Sequence, residues 1–111
     1  MKSIDHTFTK DEVNTLTFVL YILPLVPLGN TYEEDQRIFD TCRAAIQKLF
    51  DCGGQLSIEE FRVTHIALQI AQLVNQDKAF LIPQRKAQCR VLSKSIDNLL
   101  SLFDKLSQDD A

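Results

Sequence analysis

The sequence has few chain-breaking residues, since only three glycines and three prolines occur among 111 residues. Globular chains average about twelve per hundred, and an all-β domain needs many tight turns built from them. Leucine, isoleucine, valine and phenylalanine supply 37 of the 111 residues, well above the level at which chains stay disordered. The composition therefore predicts one folded helical domain spanning residues 1–111.

Cysteine is also scarce, with Cys42, Cys52 and Cys89 far apart in the sequence. An odd count without short spacings argues against a disulfide framework and favours a reducing, cytoplasmic environment. Neither a Cys-x-x-Cys pair nor a His-x-x-x-His pair is present, so spacing indicates no zinc site. We expect no metal and no cofactor.

Long hydrophobic runs are missing as well. The longest, residues 18–28, has 11 residues and contains Pro24 and Pro27, whereas a membrane-spanning helix needs about 20 apolar residues. Asp5, Asp11 and Glu12 precede this run, and the start lacks the basic residues and cleavage site of a signal peptide. We expect no membrane span.

What the sequence does contain is a set of helix signals. Three capping boxes, each a hydroxyl residue followed three positions later by glutamate, mark helix starts. Pro24, the Gly53-Gly54 pair and Pro83 mark helix ends or separations. These signals predict four helices over residues 9–23, 31–52, 57–76 and 83–107; the boxes are Thr9–Glu12, Thr31–Glu34 and Ser57–Glu60.

The spacing of apolar residues predicts how these helices pack. The second helix places Phe39, Cys42, Ile46 and Leu49 on one line, at intervals of three or four. The fourth carries a longer seam, and short connections make neighbouring helices antiparallel. The predicted fold is an up-down four-helix bundle, although residues 78–82 can either break or continue the third helix. The seam of the fourth helix consists of Cys89, Leu92, Ile96, Leu99, Phe103 and Leu106.

The first and third helices have more apolar surface than a bundle requires. A bundle helix needs an apolar stripe a little over 100° wide, but both helices are apolar around most of their circumference. Connecting segments can cover the surplus, or it can form an interface with a second copy or another protein. The second interpretation predicts a partner interface at Phe18, Tyr21, Ile22, Phe61 and Leu68.

Basic residues are concentrated late in the chain. Residues 78–96 hold five bases and no acid. Lys86, Arg90 and Lys94 are four residues apart, which on a helix gives one stripe. This stripe is a candidate site for phosphate or an acidic partner. An overall pI of about 5.2 and the absence of aromatic residues in the stripe argue against nucleic acid as the ligand.

Catalytic and metal-binding patterns are weak. Residues 51–61 resemble the second half of an EF-hand, but only Asp51 and Glu60 would supply side-chain ligands. Calcium needs six or more oxygens, so we expect no calcium binding. His65 lies among polar residues of the third helix, and no nucleophile pattern or glycine-rich phosphate loop accompanies it. We expect that the chain is not an enzyme.

These observations favour a cytoplasmic helical protein that acts through protein–protein interaction, as an adaptor, a regulator or a self-associating module, with a homodimer the expected form. One alternative is a nucleic-acid- or phosphate-binding regulator that uses the basic stripe. Another is an inhibitor of the immunity or antitoxin type, whose acidic remainder would mask a basic partner.

Overall fold

The fold is known from a computed structural model, which describes residues 4–52 and 55–109. The described part is mainly helical, as predicted, but it contains five α-helices instead of four. No helix in it is long and apolar enough to cross a membrane. The elements are β1 (Ile4–Asp5), α1 (Lys10–Ile22), a 3₁₀ turn (Leu23–Leu25), α2 (Tyr32–Cys52), β2 (Gln55–Leu56), α3 (Ile58–Asn75), α4 (Pro83–Val91) and α5 (Ser93–Asp109).

The three capping boxes form and set the starts of α1, α2 and α3. At α3, the Glu60 N–H donates to Ser57 Oγ at 3.2 Å, and the Ser57 N–H donates to Glu60 Oε1 at 2.8 Å. Thr9 with Glu12 and Thr31 with Glu34 make the same pair of bonds. At the other end of α1, Pro24 lies in the 3₁₀ turn. Gly53 and Gly54, the predicted end of the second helix, lie outside the described residues.

The segment between α3 and α4 breaks the helix, which answers the question left open for residues 78–82. Asp77 follows α3 with a φ of 60°. Its N–H donates to the Val74 carbonyl, and the Lys78 N–H donates to the Leu73 carbonyl at 2.8 Å. This is a Schellman motif, with aspartate at the left-handed position that glycine usually occupies.

The predicted fourth helix is divided into α4 and α5 at Leu92, so the four-helix bundle is not confirmed. In a continuous helix the Cys89 carbonyl would accept from the Ser93 N–H. It accepts instead from the Leu92 N–H and from Asn75 Nδ2 of α3, each at 3.2 Å. A side chain that enters the hydrogen-bond ladder in this way breaks a helix.

Helix α3 is the centre of the molecule, because α1, α2, α4 and α5 all pack against it. Its buried residues include Phe61, Ala67, Leu68, Ala71 and Val74. Helix α1 is also covered on several sides, by α2, α3 and α5. The apolar surplus of these two helices is therefore largely used inside the molecule.

A stack of phenylalanines joins the N-terminal segment to this core. The Phe103 ring lies between the ring of Phe61, with centroids 4.8 Å apart, and that of Phe8, at 5.7 Å. The short antiparallel pair of β1 with β2 aligns Ile4 with Leu56 and Asp5 with Gln55. The residues preceding α1 are thus attached at two points, by backbone pairing and by Phe8.

The capping box of α3 gives a test of the fold. Ser57→Ala removes the acceptor for the Glu60 N–H, so we expect it to lower the free energy of unfolding by about 1 kcal/mol. Ser101→Ala changes an exposed residue of α5 and should be nearly neutral. Urea unfolding of the two variants measures the difference, and equal effects would contradict this start for α3.

Candidate interaction surface

Three of the five residues predicted to form a partner interface lie in the core instead. Ile22, Phe61 and Leu68 are buried, so this part of the prediction is wrong. The reason is the central position of α3, which encloses the faces of α1 and α3 that the sequence pattern left unassigned. Phe18 is partly buried against the same core.

Tyr21 is the one predicted interface residue with a largely open side chain, at 51% exposure. The Arg85 guanidinium lies over its ring, 5.1 Å from the centroid, and Arg85 Nη2 donates to the Tyr21 hydroxyl at 3.3 Å. An intramolecular cation–π contact therefore already occupies one face of this ring.

The basic stripe is divided and partly neutralised. Lys86 and Arg90 lie on α4, whereas Lys94 lies on α5, beyond the break at Leu92. The Asp77 carboxylate forms an ion pair with Lys86 and another with Arg90, the second at 3.1 Å. Hydrogen bonding and attraction from Lys86, with a smaller contribution from Arg90, lower the pKa of Asp77. Two of the three predicted anion-binding groups thus have a partner within the chain.

An open cleft follows the Schellman motif and is called here the α3–α4 cleft. It has a volume of about 540 Å³ and includes Phe80, which is 65% exposed. Its lining combines this ring with the Asp77–Lys86 pair, so it is a first candidate docking surface. The cleft is lined by Asp77, Lys78, Ala79, Phe80, Leu81, Pro83 and Lys86.

A second candidate surface runs along α2. Tyr32, Phe39 and Phe50 are 82%, 43% and 64% exposed. At 100° per residue they lie with Arg43 within about 20° of one line, which extends for about 27 Å. We call these four residues the α2 aromatic face.

The position of Phe39 corrects the predicted packing of α2. The sequence spacing assigned Phe39 to the buried line, but that line runs through Cys42, Ala45 and Leu49, with Ile38 partly buried beside them. It is centred about 110° from the α2 aromatic face. The aromatic side chains of α2 therefore point away from the face by which this helix packs against the rest of the molecule.

The first half of α2 gains little stabilisation from packing against the rest of the chain. Within residues 32–41 no side chain is buried, and only Ile38 and Thr41 are of intermediate burial while the others are exposed. Most helical stability in proteins comes from packing of an apolar face and not from intrinsic propensity. Three helical turns with exposed aromatic side chains are thus available for an external contact.

Charge is distributed unevenly along α2. Its first half carries Glu33, Glu34, Asp35 and Asp40 against Arg37, and its second half carries Arg43 and Lys48 against Asp51. The Arg43 guanidinium lies 5.8 Å from the centroid of the Phe39 ring. The α2 aromatic face therefore combines apolar rings with a cation at its middle.

Among the residues that the structure describes, those with the greatest chemical reactivity do not assemble into a site. Burial raises the pKa of the Cys42 thiol to about 12 and that of Cys89 to about 11, as expected for inert core cysteines. The Cys52 side chain lies outside the described residues. His65 Nε2 lies 2.6 Å from Asp104 Oδ1, with no nucleophile hydrogen-bonded to this pair among the described residues.

Glu60, one of the two calcium ligands considered above, has a structural role. Its Oε1 accepts from the Ser57 N–H and lies 2.9 Å from Lys48 Nζ. Burial raises the pKa of Glu60, but hydrogen bonds from Ser57 and Lys48 outweigh that effect and lower it overall. Within the described ranges, no group of three or more histidine, cysteine and acidic residues could hold a metal ion.

No protein-family model, curated protein or solved structure matches the chain.

The ion pairs of Asp77 predict a pH-dependent contribution to stability. Because folding lowers the pKa of this carboxyl, its contribution is present above the unfolded pKa and is lost as the pH falls through the folded value. Asp77→Asn keeps a residue that tolerates positive φ but removes the charge. We expect it to lower the melting temperature at pH 7 and to have a smaller effect near pH 3, measured by circular dichroism. A difference that stays constant over this range would contradict the ion-pair account.

Proposed function

We propose that this protein is a protein-interaction module and that its docking surface is the α2 aromatic face. The observation that carries the proposal is the exposure of Tyr32, Phe39 and Phe50 on a helix whose first half has little packing of its own. A cytoplasmic location is part of the proposal, and the odd cysteine count supports it.

The residue types of the α2 aromatic face support the interpretation that it binds a partner. Tyrosine and arginine are enriched among residues that dominate binding energies, and aromatic residues are enriched in interfaces generally. Leaving a large apolar side chain in water forfeits about 1.5–3 kcal/mol relative to full burial. A partner that covers three such rings gains part of this free energy at each one.

The alternative functions have less support. The Asp77 ion pairs weigh against a phosphate-binding regulator, because an anion at Lys86 and Arg90 would first have to displace a carboxylate. Lys94 is exposed on a different helix and would add little to such a site. The inhibitor of a basic partner rests on size and charge alone and stays a prediction.

The test compares the native size of the protein in extracts of cells that express it. Phe39→Asp combined with Phe50→Lys places charges on the face, and because both side chains are exposed we expect the variant to remain folded. The wild-type chain should elute above its own mass of 12.7 kDa, and this variant should elute as a monomer.

Phe80→Asp is the matched control, since it changes a ring of similar exposure in the α3–α4 cleft. It should leave the size of the complex unchanged. If only the Phe80 variant loses the complex, or if the wild-type chain never exceeds the monomer mass, the α2 aromatic face is not the docking surface.

A further inference from the structure

We propose that the occupant of the α2 aromatic face is α2 of a second copy of this chain, packed antiparallel across a two-fold axis. This inference rests on the proposed function and names its partner. Two-fold symmetric dimers are the commonest oligomers, and their interface pairs one surface with itself. The α2 face must then complement itself when its direction is reversed.

The order of residues along the face meets that requirement. When two copies are reversed about residue 41, positions whose numbers add up to about 82 lie opposite each other. Tyr32 then faces Phe50 of the second copy, and Phe39 faces Arg43. Each ring thereby meets another ring or a guanidinium, both of which stack favourably on aromatic faces.

The charges along α2 are complementary in the same arrangement. The first half of α2 has a charge of −3 (four acids, one base), and residues 41–52 have +1 (two bases, one acid). Antiparallel pairing places these halves against each other, whereas parallel pairing would place acid against acid. Asp40 lies on the flank nearest Arg43 of the second copy, so one ion pair forms on each side of the axis.

The exposed area is of the size that such a contact needs. At about 200 Å² for a fully exposed aromatic side chain, the three rings offer close to 400 Å² per copy. A standard interface buries about 800 Å² per partner. The rings thus supply about half, and polar residues beside the face, such as Gln36, Asp40 and Gln47, can supply much of the rest.

The first measurement is the mass of the purified protein by light scattering across roughly 1 to 300 μM. We expect a concentration-dependent dimer of twice the 12.7 kDa chain mass. Phe39→Asp with Phe50→Lys should be monomeric throughout with a circular dichroism spectrum like the wild type, and Phe80→Asp should dimerise normally. Loss of the dimer in the Phe80 variant would place the α3–α4 cleft in the contact and would overturn the α2–α2 pairing.

The second measurement uses the charges beside the axis. In a symmetric pair, Asp40→Arg sets the introduced guanidinium against Arg43, and Arg43→Glu sets the introduced carboxylate against Asp40. Because each variant alone brings like charges together, each should dimerise at least tenfold more weakly than the wild type. Mixed in equal amounts, the two variants form a heterodimer with both ion pairs restored. We expect the mixture to recover most of the lost affinity, since both ion pairs return although one of the two Phe39–Arg43 contacts does not. A mixture that stays as weak as its components would overturn the proposed register.

These outcomes separate this inference from the function on which it rests. If purified wild-type protein is monomeric at 300 μM while the complex in extracts still depends on Phe39 and Phe50, the second copy is the wrong occupant and the docking surface stands. If the extract complex is indifferent to these residues, both proposals fail.

Discussion

The packing of four helices around α3 is the constraint on which the rest of the structure depends. A helix that is apolar around most of its circumference is stable in water only when other elements surround it. Here α1, α2, α4 and α5 do so, and the Phe8–Phe103–Phe61 stack adds the segment before α1. Because α3 lies at the centre, each of the other helices buries the face that points toward it.

Two polar side chains at the end of α3 determine the route of the chain after it. Asn75 bonds to the Cys89 carbonyl and separates α4 from α5. Asp77 takes up a left-handed conformation and holds Lys86 and Arg90. The same aspartate therefore turns the backbone and partly neutralises the basic stripe, which couples the local fold to the charge of this surface.

Local signals made some elements predictable. The starts of α1, α2 and α3 follow from capping boxes, whose two hydrogen bonds join residues three positions apart. The buried seam through Cys89, Ile96, Leu99 and Phe103 also follows from spacing and persists across the break at Leu92. The break itself was not predictable, because its cause, Asn75, belongs to another helix.

The candidate surface was harder to predict from the sequence, for a physical reason. Along α2, the line through Phe39, Cys42, Ile46 and Leu49 and the line through Ile38, Cys42, Ala45 and Leu49 are both spaced by three or four residues. Hydrophobicity favours the first, but packing against α3 selects the second and leaves Phe39 outside. Likewise, Ile22, Phe61 and Leu68 resembled an interface because a helix that packs against several neighbours and a helix with a docking face share one pattern.

The central claim is that α3 forms the packed centre of the molecule while the first half of α2 becomes covered only by a second copy. Amide hydrogen exchange tests this claim most directly when it is measured for α2 and α3 on dilute and on concentrated protein. Amides of α3 should exchange only through global unfolding at both concentrations. Those of residues 32–41 should exchange rapidly in dilute protein and become protected in concentrated protein. Rapid local exchange within α3, or the same protection of residues 32–41 at both concentrations, would contradict this account.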